Sequence, residues 1–273
     1  MNWGWVEDAR GGGLTQNPTV SAFDSGFTLG HGIFETMKTR QTQIQFLDFH
    51  LQRMEKSART LHLEFPGANA INEAAKKVLQ ANQPEGFGRL RISLTQGEVG
   101  ITEWTLVITW QPIELWQKPA RLTLSDVTQF PQRLSKSMKT LSYIENAFAL
   151  KQAQSKGFDD AILFDASGFI TETALANIFI VSDGQIFTSP SASGCLLGVT
   201  RNIILTEFSR SYAIGEIDLT LEAVQSADEV FITSAIRDIQ PVECVDSWHY
   251  SAPGVVTSAL LIDYRDYAIG GFQ

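Results

Sequence analysis

The sequence is poor in cysteine, histidine and positive charge. Among 273 residues there are two cysteines and four histidines. Cys195 and Cys244 form no C-x-x-C pair and join no histidine cluster, so neither a zinc site nor a disulfide scaffold is expected. Low cysteine usage fits a reducing cytoplasm. His31, His50, His62 and His249 show no metal-ligand spacing. Lys and Arg number 21 against 30 Asp and Glu, a formal net charge of −9. No Lys/Arg-rich run offsets that balance, which argues against a nucleic-acid partner. A local cationic pocket for phosphate stays open, because net charge does not describe one site. No apolar run approaches the roughly 18 residues of a membrane helix. The start, MNWGWVEDARGGG, lacks a basic segment followed by an apolar one, so no signal peptide is expected. Internal repeats and low-complexity tracts are also missing.

What is present is an ordinary globular composition, 44% hydrophobic and 19% charged. The length calls for two lobes or one large domain. Leu47, Leu51, Met54, Ala58 and Leu61 form one apolar stripe at helical spacing. Ile71 to Gln80 reads as a second helix. Arg89 to Thr95 alternates, Trp104 to Trp110 is rich in β-formers, and the two read as paired strands. Gly11 to Gly13 reads as a loop, Phe23 to Thr39 as a turn-rich entry into a short strand, and Gln43 to Phe46 as an edge strand. Gln111 to Ala120, with Pro112 and Pro119, reads as a linker. The division is therefore a small N-terminal α/β domain, 1–117, and a larger C-terminal domain, 118–273. In the latter, a helix over Ile144 to Ser155 precedes short strands in AILFD, FITET and NIFIV. A helix from Thr200, a strand in DEVFIT and a helical tail after Val255 follow. The class is mixed α+β.

Several segments, in order, resemble one family. They are SAFDSGFTLGHGIFET, DFHLQRM, KTLSYIEN, GFITETALANIF, LLGVTR and ADEVFITSAIRDIQPV. Together they look like the class IV aminotransferases, the fold type IV enzymes of pyridoxal 5'-phosphate (PLP). The resemblance runs from about Ser21 to the tail and departs mildly at His31, where a second acid is usual. It implies a two-lobed fold with a barrel-like sheet in the larger lobe, the cofactor PLP, a small amino substrate and a homodimer.

It also implies roles. Lys139 matches the lysine that holds PLP as a Schiff base. Its amine must be neutral to attack an aldehyde, so partial desolvation should lower its pKa. An isolated lysine is usually a solvated surface residue, and nearby Lys136 is a rival. The Thr140 to Asn146 pattern selects Lys139. Glu172 matches the acid facing the pyridine nitrogen, which keeps that nitrogen protonated. Arg53 matches the phosphate-binding arginine, whose planar fork suits phosphate. From spacing alone it is equally an exposed helix residue. Gly198-Val199-Thr200 opens a helix and matches the phosphate cup, with Val199 and Thr200 touching phosphate. Leu196 would pack on the ring, or serve only as core. Tyr143 would lie near a cofactor oxygen, or in the core. Asn177 is read as structural, holding its turn through side-chain hydrogen bonds. Ser234 falls in the C-terminal phosphate loop.

Within the family, that loop reads Thr233-Ser234-Ala235-Ile236-Arg237. Ala235 replaces a threonine usual in aminotransferases, and bulky Ile236 and Arg237 follow. The chain therefore looks closest to the 4-amino-4-deoxychorismate lyases, which release pyruvate and form 4-aminobenzoate for folate synthesis. Gln96-Gly97, where several relatives carry an arginine before the glycine, stands against this. The alternatives are an aminotransferase of branched-chain or D-amino acids and, from another class, a non-catalytic PLP-binding protein.

Overall fold

A computed structural model describes residues 2–130 and 137–273, and the chain groups into two compact units. The first comprises Met1–Leu115, Met138–Ser142 and Ala268–Gln273, and the second Trp116–Ser137 and Tyr143–Tyr267. Lys136, the rival of Lys139, lies outside the described residues.

The first unit contains β1 (Gly4–Asp8), β2 (Gly11–Thr15), α1 (Ser25–Leu29), β3 (Gly32–Arg40), β4 (Gln43–Ile44), α2 (Leu47–Thr60), α3 (Ala68–Asn82), β5 (Phe87–Thr95) and β6 (Thr105–Pro112). Its sheet has the order β2-β1-β6-β5-β3-β4, with antiparallel pairing throughout. Successive strand residues point to opposite faces, and here one face packs on helices. Met37 of β3, Leu90, Ile92 and Leu94 of β5, and Leu106 and Ile108 of β6 join Leu47, Leu51, Met54 and Ala58 of α2 in one core. Ile71, Ala75, Val78 and Leu79 of α3 complete it. The stripe read from the sequence is thus the buried face of α2, with Leu61 just past the helix end and only partly buried.

Two expectations change. Gly11 to Gly13, read as a loop, is the start of edge strand β2, paired to β1 from Asp8↔Gly11 onward. A Cβ on Gly12 would lie 2.2 Å from the Val6 carbonyl oxygen, so glycine lets the hairpin close rather than breaking it. The segment to Thr39 yields no short strand but nine residues of β3, paired to β5 from Gly32↔Thr95 to Arg40↔Phe87. Pairing on a second strand extended it beyond what local turn residues indicated.

The second unit contains β7 (Ala120–Gln129), α4 (Ile144–Ser155), β8 (Asp160–Asp165), β9 (Ile170–Thr173), β10 (Asn177–Ser182), β11 (Gln185–Thr188), α5 (Val199–Glu207), β12 (Ile214–Glu216), α6 (Leu221–Gln225), β13 (Glu229–Ser234), β14 (Asp238–Val245) and β15 (Trp248–His249). Helix α7 (Val255–Ile269) follows. The sheet order is β12-β11-β10-β13-β14-β7-β8-β9, with β15 on β14. Three of its pairs are parallel, β11 with β12 and β7 with both β14 and β8. Ile178, Ile180, Val230, Ile232, Val242 and Val245 form the heart of its main core. The α+β class and the two-lobed architecture expected from the sequence hold.

Candidate active site

In the first unit, residues 139–141 run as a short extra strand along β3. The Phe34 N–H donates to the Lys139 carbonyl at 2.8 Å, and the Leu141 N–H to the Gly32 carbonyl at 2.9 Å. Thr140 bridges Ile33. A Cβ on Gly32 would lie 2.7 Å from the Leu94 carbonyl oxygen of the neighbouring strand and 2.7 Å from Leu141 Cδ1. Lys139 Nζ lies 4.5 Å from the centre of the Phe34 ring. The Arg91 guanidinium carbon lies 3.7 Å from the same ring centre. Phe34 belongs to the face of β3 opposite Met37. Arg91 shares that face of β5, because Leu90 and Ile92 occupy the helix-packed one.

Glu35 takes the helix-packed face of β3. It is 1% exposed. Two side chains of α2, one turn apart, meet it. Arg53 donates from Nε to Oε1 at 2.8 Å and from Nη2 to Oε2 at 2.6 Å. His50 Nδ1 lies 2.7 Å from Oε2. Burial alone would raise the Glu35 pKa, but Arg53 and the His50 hydrogen bond outweigh it and hold the carboxyl at about 2. Burial lowers the His50 pKa against the pull of Glu35. An ionised carboxylate only accepts, so neutral His50 donates through Nδ1. The fork of Arg53, expected to face phosphate, thus has its Nε/Nη2 edge on Glu35.

In the second unit, Glu172 lies on β9 and is buried. The Leu196 N–H donates to its Oε2 at 3.0 Å. The Leu196 carbonyl accepts from Asn177 Nδ2 at 2.8 Å and from the Gly198 N–H at 2.9 Å. One backbone residue therefore links Glu172 to the start of α5. Gly198 caps that helix through backbone alone, with no side-chain cap. A Cβ on Gly198 would lie 2.2 Å from Asn177 Oδ1. Val199 and Thr200, both buried, form the first turn. The Thr200 hydroxyl is 3.4 Å from that of Tyr264, and burial pushes the Tyr264 phenol well above its ordinary range. Thr233, opposite Asn177 in the strand register, has a buried hydroxyl without a hydrogen-bond partner among the described residues. Burial, reinforced by Glu172, pushes the Cys195 thiol up.

Tyr143 precedes α4 and donates its hydroxyl to the Ala174 carbonyl at 2.9 Å, beside Asn146 at 3.0 Å. Ser234 accepts the Arg237 N–H at 3.2 Å. The Arg237 guanidinium lies 3.1 Å from Asp160, whose side chain is wholly buried and also accepts from Thr173. Burial raises the Asp160 pKa against the attraction of Arg237.

Lys139 and Arg53 thus belong to the first unit, and Glu172, Leu196, Val199, Thr200, Ser234 and Tyr143 to the second. Glu35, Phe34 and Arg91 were assigned no role from sequence. The signals were there: an acid in a core-facing strand position, and His50 and Arg53 three apart on a helix. Among the described residues no group of His, Cys, Asp and Glu could hold a metal ion, and no helix is long and apolar enough to cross a membrane.

The family model described as Amino-transferase class IV matches residues 32–245. The chain belongs to this family. It is 30% identical over 264 residues to a branched-chain-amino-acid aminotransferase of Pseudomonas aeruginosa, covering 88% of this chain and 85% of that one. It is 27% identical over 266 residues to an aminodeoxychorismate lyase of Bacillus subtilis, covering 92% and 90%. A branched-chain aminotransferase structure from Thermoproteus uzoniensis, with norvaline, superposes with a TM-score of 0.89 at 22% identity, covering 99% of this chain and 95% of that one. An aminotransferase from Brucella abortus bound to the cofactor PLP gives 0.85 at 24%, covering 98% and 99%.

These findings overturn the expectation that the chain looks closest to the lyases. Branched-chain aminotransferases match it more strongly in both sequence and structure. That expectation leaned on Ala235 in place of the threonine and on bulky Ile236 and Arg237 after it. The structure turns the Arg237 guanidinium onto buried Asp160, where it serves the fold.

Proposed function

We propose that this chain is a PLP-dependent aminotransferase acting on amino acids, with branched-chain substrates the leading class and D-amino acids the next. The observation that carries this reading is Phe34, whose one ring lies against both the Lys139 amine and the Arg91 guanidinium. An amino acid needs a primary amine to exchange with and a cation for its carboxylate. A guanidinium meets a carboxylate with paired hydrogen bonds, and an aromatic ring gives the side of an apolar substrate a dry surface.

The remaining residues fit PLP. A helix start at Val199 and Thr200 with no side-chain cap offers backbone N–H groups to a phosphate. Gly198 leaves room where any side chain would collide. Glu172 is fixed by the Leu196 N–H and is the acid for the pyridine nitrogen. When bound, PLP acts as the electron sink for the substrate's α-carbon. Lys139 carries the cofactor and moves the α-proton. Arg91 orients the carboxylate, and Arg53 and Thr200 hold the phosphate. Leu196 packs on the ring, Tyr143 stands near a cofactor oxygen and Ser234 belongs to the phosphate loop. Transamination by the PLP-loaded protein and its loss in Lys139→Ala test the assignment. Turnover retained by that variant would overturn it.

The working form on this reading is a homodimer. Phe23, Phe27 and Leu29, on and beside α1, and Val99, in the neighbouring turn, are 72%, 78%, 72% and 77% exposed. The Ser25 N–H to Gly97 carbonyl bond ties the two segments into one apolar patch, suited to a second copy. Light scattering should give a dimer mass, reduced toward the monomer by Phe27→Asp.

A further inference from the structure

We propose that Glu35 is a positioning residue for phosphate binding, setting the direction in which Arg53 presents its guanidinium. This rests on the reading that Arg53 holds the cofactor phosphate.

Arg53 has five N–H bonds in a rigid plane. Glu35 takes one from Nε and one from Nη2. Two bonds across a planar fork fix both position and tilt, which one bond does not. The guanidinium plane of Arg53 therefore has a defined direction. A free arginine side chain has rotamer freedom to lose on gripping an anion. Here that loss is met on folding. Glu35 is itself held, because His50 donates to the same Oε2 that accepts from Nη2. The Ser57 hydroxyl, one turn further along α2, bonds the Arg53 carbonyl at 2.9 Å.

A structural purpose alone explains this cluster poorly. A buried ion pair stabilises little relative to apolar residues of the same volume. The surrounding layer of Met37, Leu47, Leu51 and Met54 shows that apolar residues fit there. A carboxylate beside the cationic anchor also opposes an anion electrostatically. Its presence is favourable for binding only if orientation outweighs charge, and that makes the sign of the effect the test.

The experiment compares wild type, Arg53→Ala, Glu35→Gln and Glu35→Asp as apoproteins. Each is titrated with PLP and with pyridoxal, which lacks the phosphate, following absorbance of the lysine-linked cofactor. Competition by inorganic phosphate gives a second readout that needs no turnover. Pyridoxal binding also reports that each variant is folded around its site. Glu35→Gln removes the charge. Glu35→Asp keeps it but withdraws the acceptor by one methylene. The proposal expects both to weaken PLP and phosphate binding by about tenfold, the scale of a lost charge-assisted hydrogen bond, with pyridoxal unchanged. PLP binding equal to or tighter than wild type in Glu35→Gln overturns the proposal and leaves the Arg53 assignment standing. Equal weakening of PLP and pyridoxal also overturns it, since Glu35 then acts on the fold at large. Unchanged PLP binding in Arg53→Ala overturns the Arg53 assignment and the proposal with it.

Discussion

Gly198 and Asn177 approach so closely that a Cβ on the glycine would lie 2.2 Å from the amide oxygen Oδ1. The same amide donates to Leu196, whose N–H holds Glu172. Gly198→Ala must therefore displace Asn177 and slacken both contacts. The expected outcome is a destabilisation of about 1–3 kcal/mol, the usual scale of overpacking, with weaker PLP binding. Thermal unfolding of the apoprotein and a PLP titration read the two effects. A variant with wild-type values in both would show that the cup is not built around this contact.

Arg237→Ala leaves Asp160 buried and without its cation. Asp160 is 0% exposed, so water cannot compensate. Removing one partner of a buried pair costs about 3–5 kcal/mol. Urea unfolding should show a loss of that order. The double variant Arg237→Ala with Asp160→Asn should recover part of it, because the amide still accepts from Thr173 and carries no charge. Full additivity of the two substitutions would mean that the pair is not coupled.

Acid sensitivity should trace to Glu35. Its carboxyl ionises near pH 2 in the folded chain rather than near 4.5. Ionisation therefore favours folding. The contribution is fully present above pH 4.5 and is lost as pH falls from there toward 2. The size is about 3 kcal/mol, at about 1.4 kcal/mol per pH unit. His50 acts in the same direction from a higher pH. Its folded pKa is depressed below 6.5, so protonation of the unfolded chain begins to draw stability away as pH drops through that value. Unfolding free energy measured between pH 7 and pH 3 should fall, and Glu35→Gln should flatten the lower part of the curve. An unchanged slope in the variant would place the titrating group elsewhere.

Much of the fold was legible because it is written in local periodicity. The stripe from Leu47 to Ala58 is the buried face of α2, and Ile144 to Ser155 is a helix end to end. The run AILFD and the strand NIFIV appear as β8 and β10. Strand β2 was missed because its three glycines signal a turn, whereas close backbone packing against Val6 is a tertiary cause. The site was legible only as separate motifs. Sequence marks Glu35 as an acid in a strand, but only the packing of α2 on β3 puts His50 and Arg53 on it. Arg237 misled for the converse reason, since nothing near it in sequence reveals Asp160, 77 positions earlier.

The most direct test of the central claim is the reaction itself. PLP-loaded protein is given a keto-acid acceptor with L-valine, L-leucine, L-isoleucine and a set of D-amino acids, and separately 4-amino-4-deoxychorismate alone. Keto-acid formation from an amino acid is expected, strongest in the branched-chain group, weakened in Arg91→Ala and absent in Lys139→Ala. Release of pyruvate from 4-amino-4-deoxychorismate, with no transfer from any amino acid, would contradict that claim.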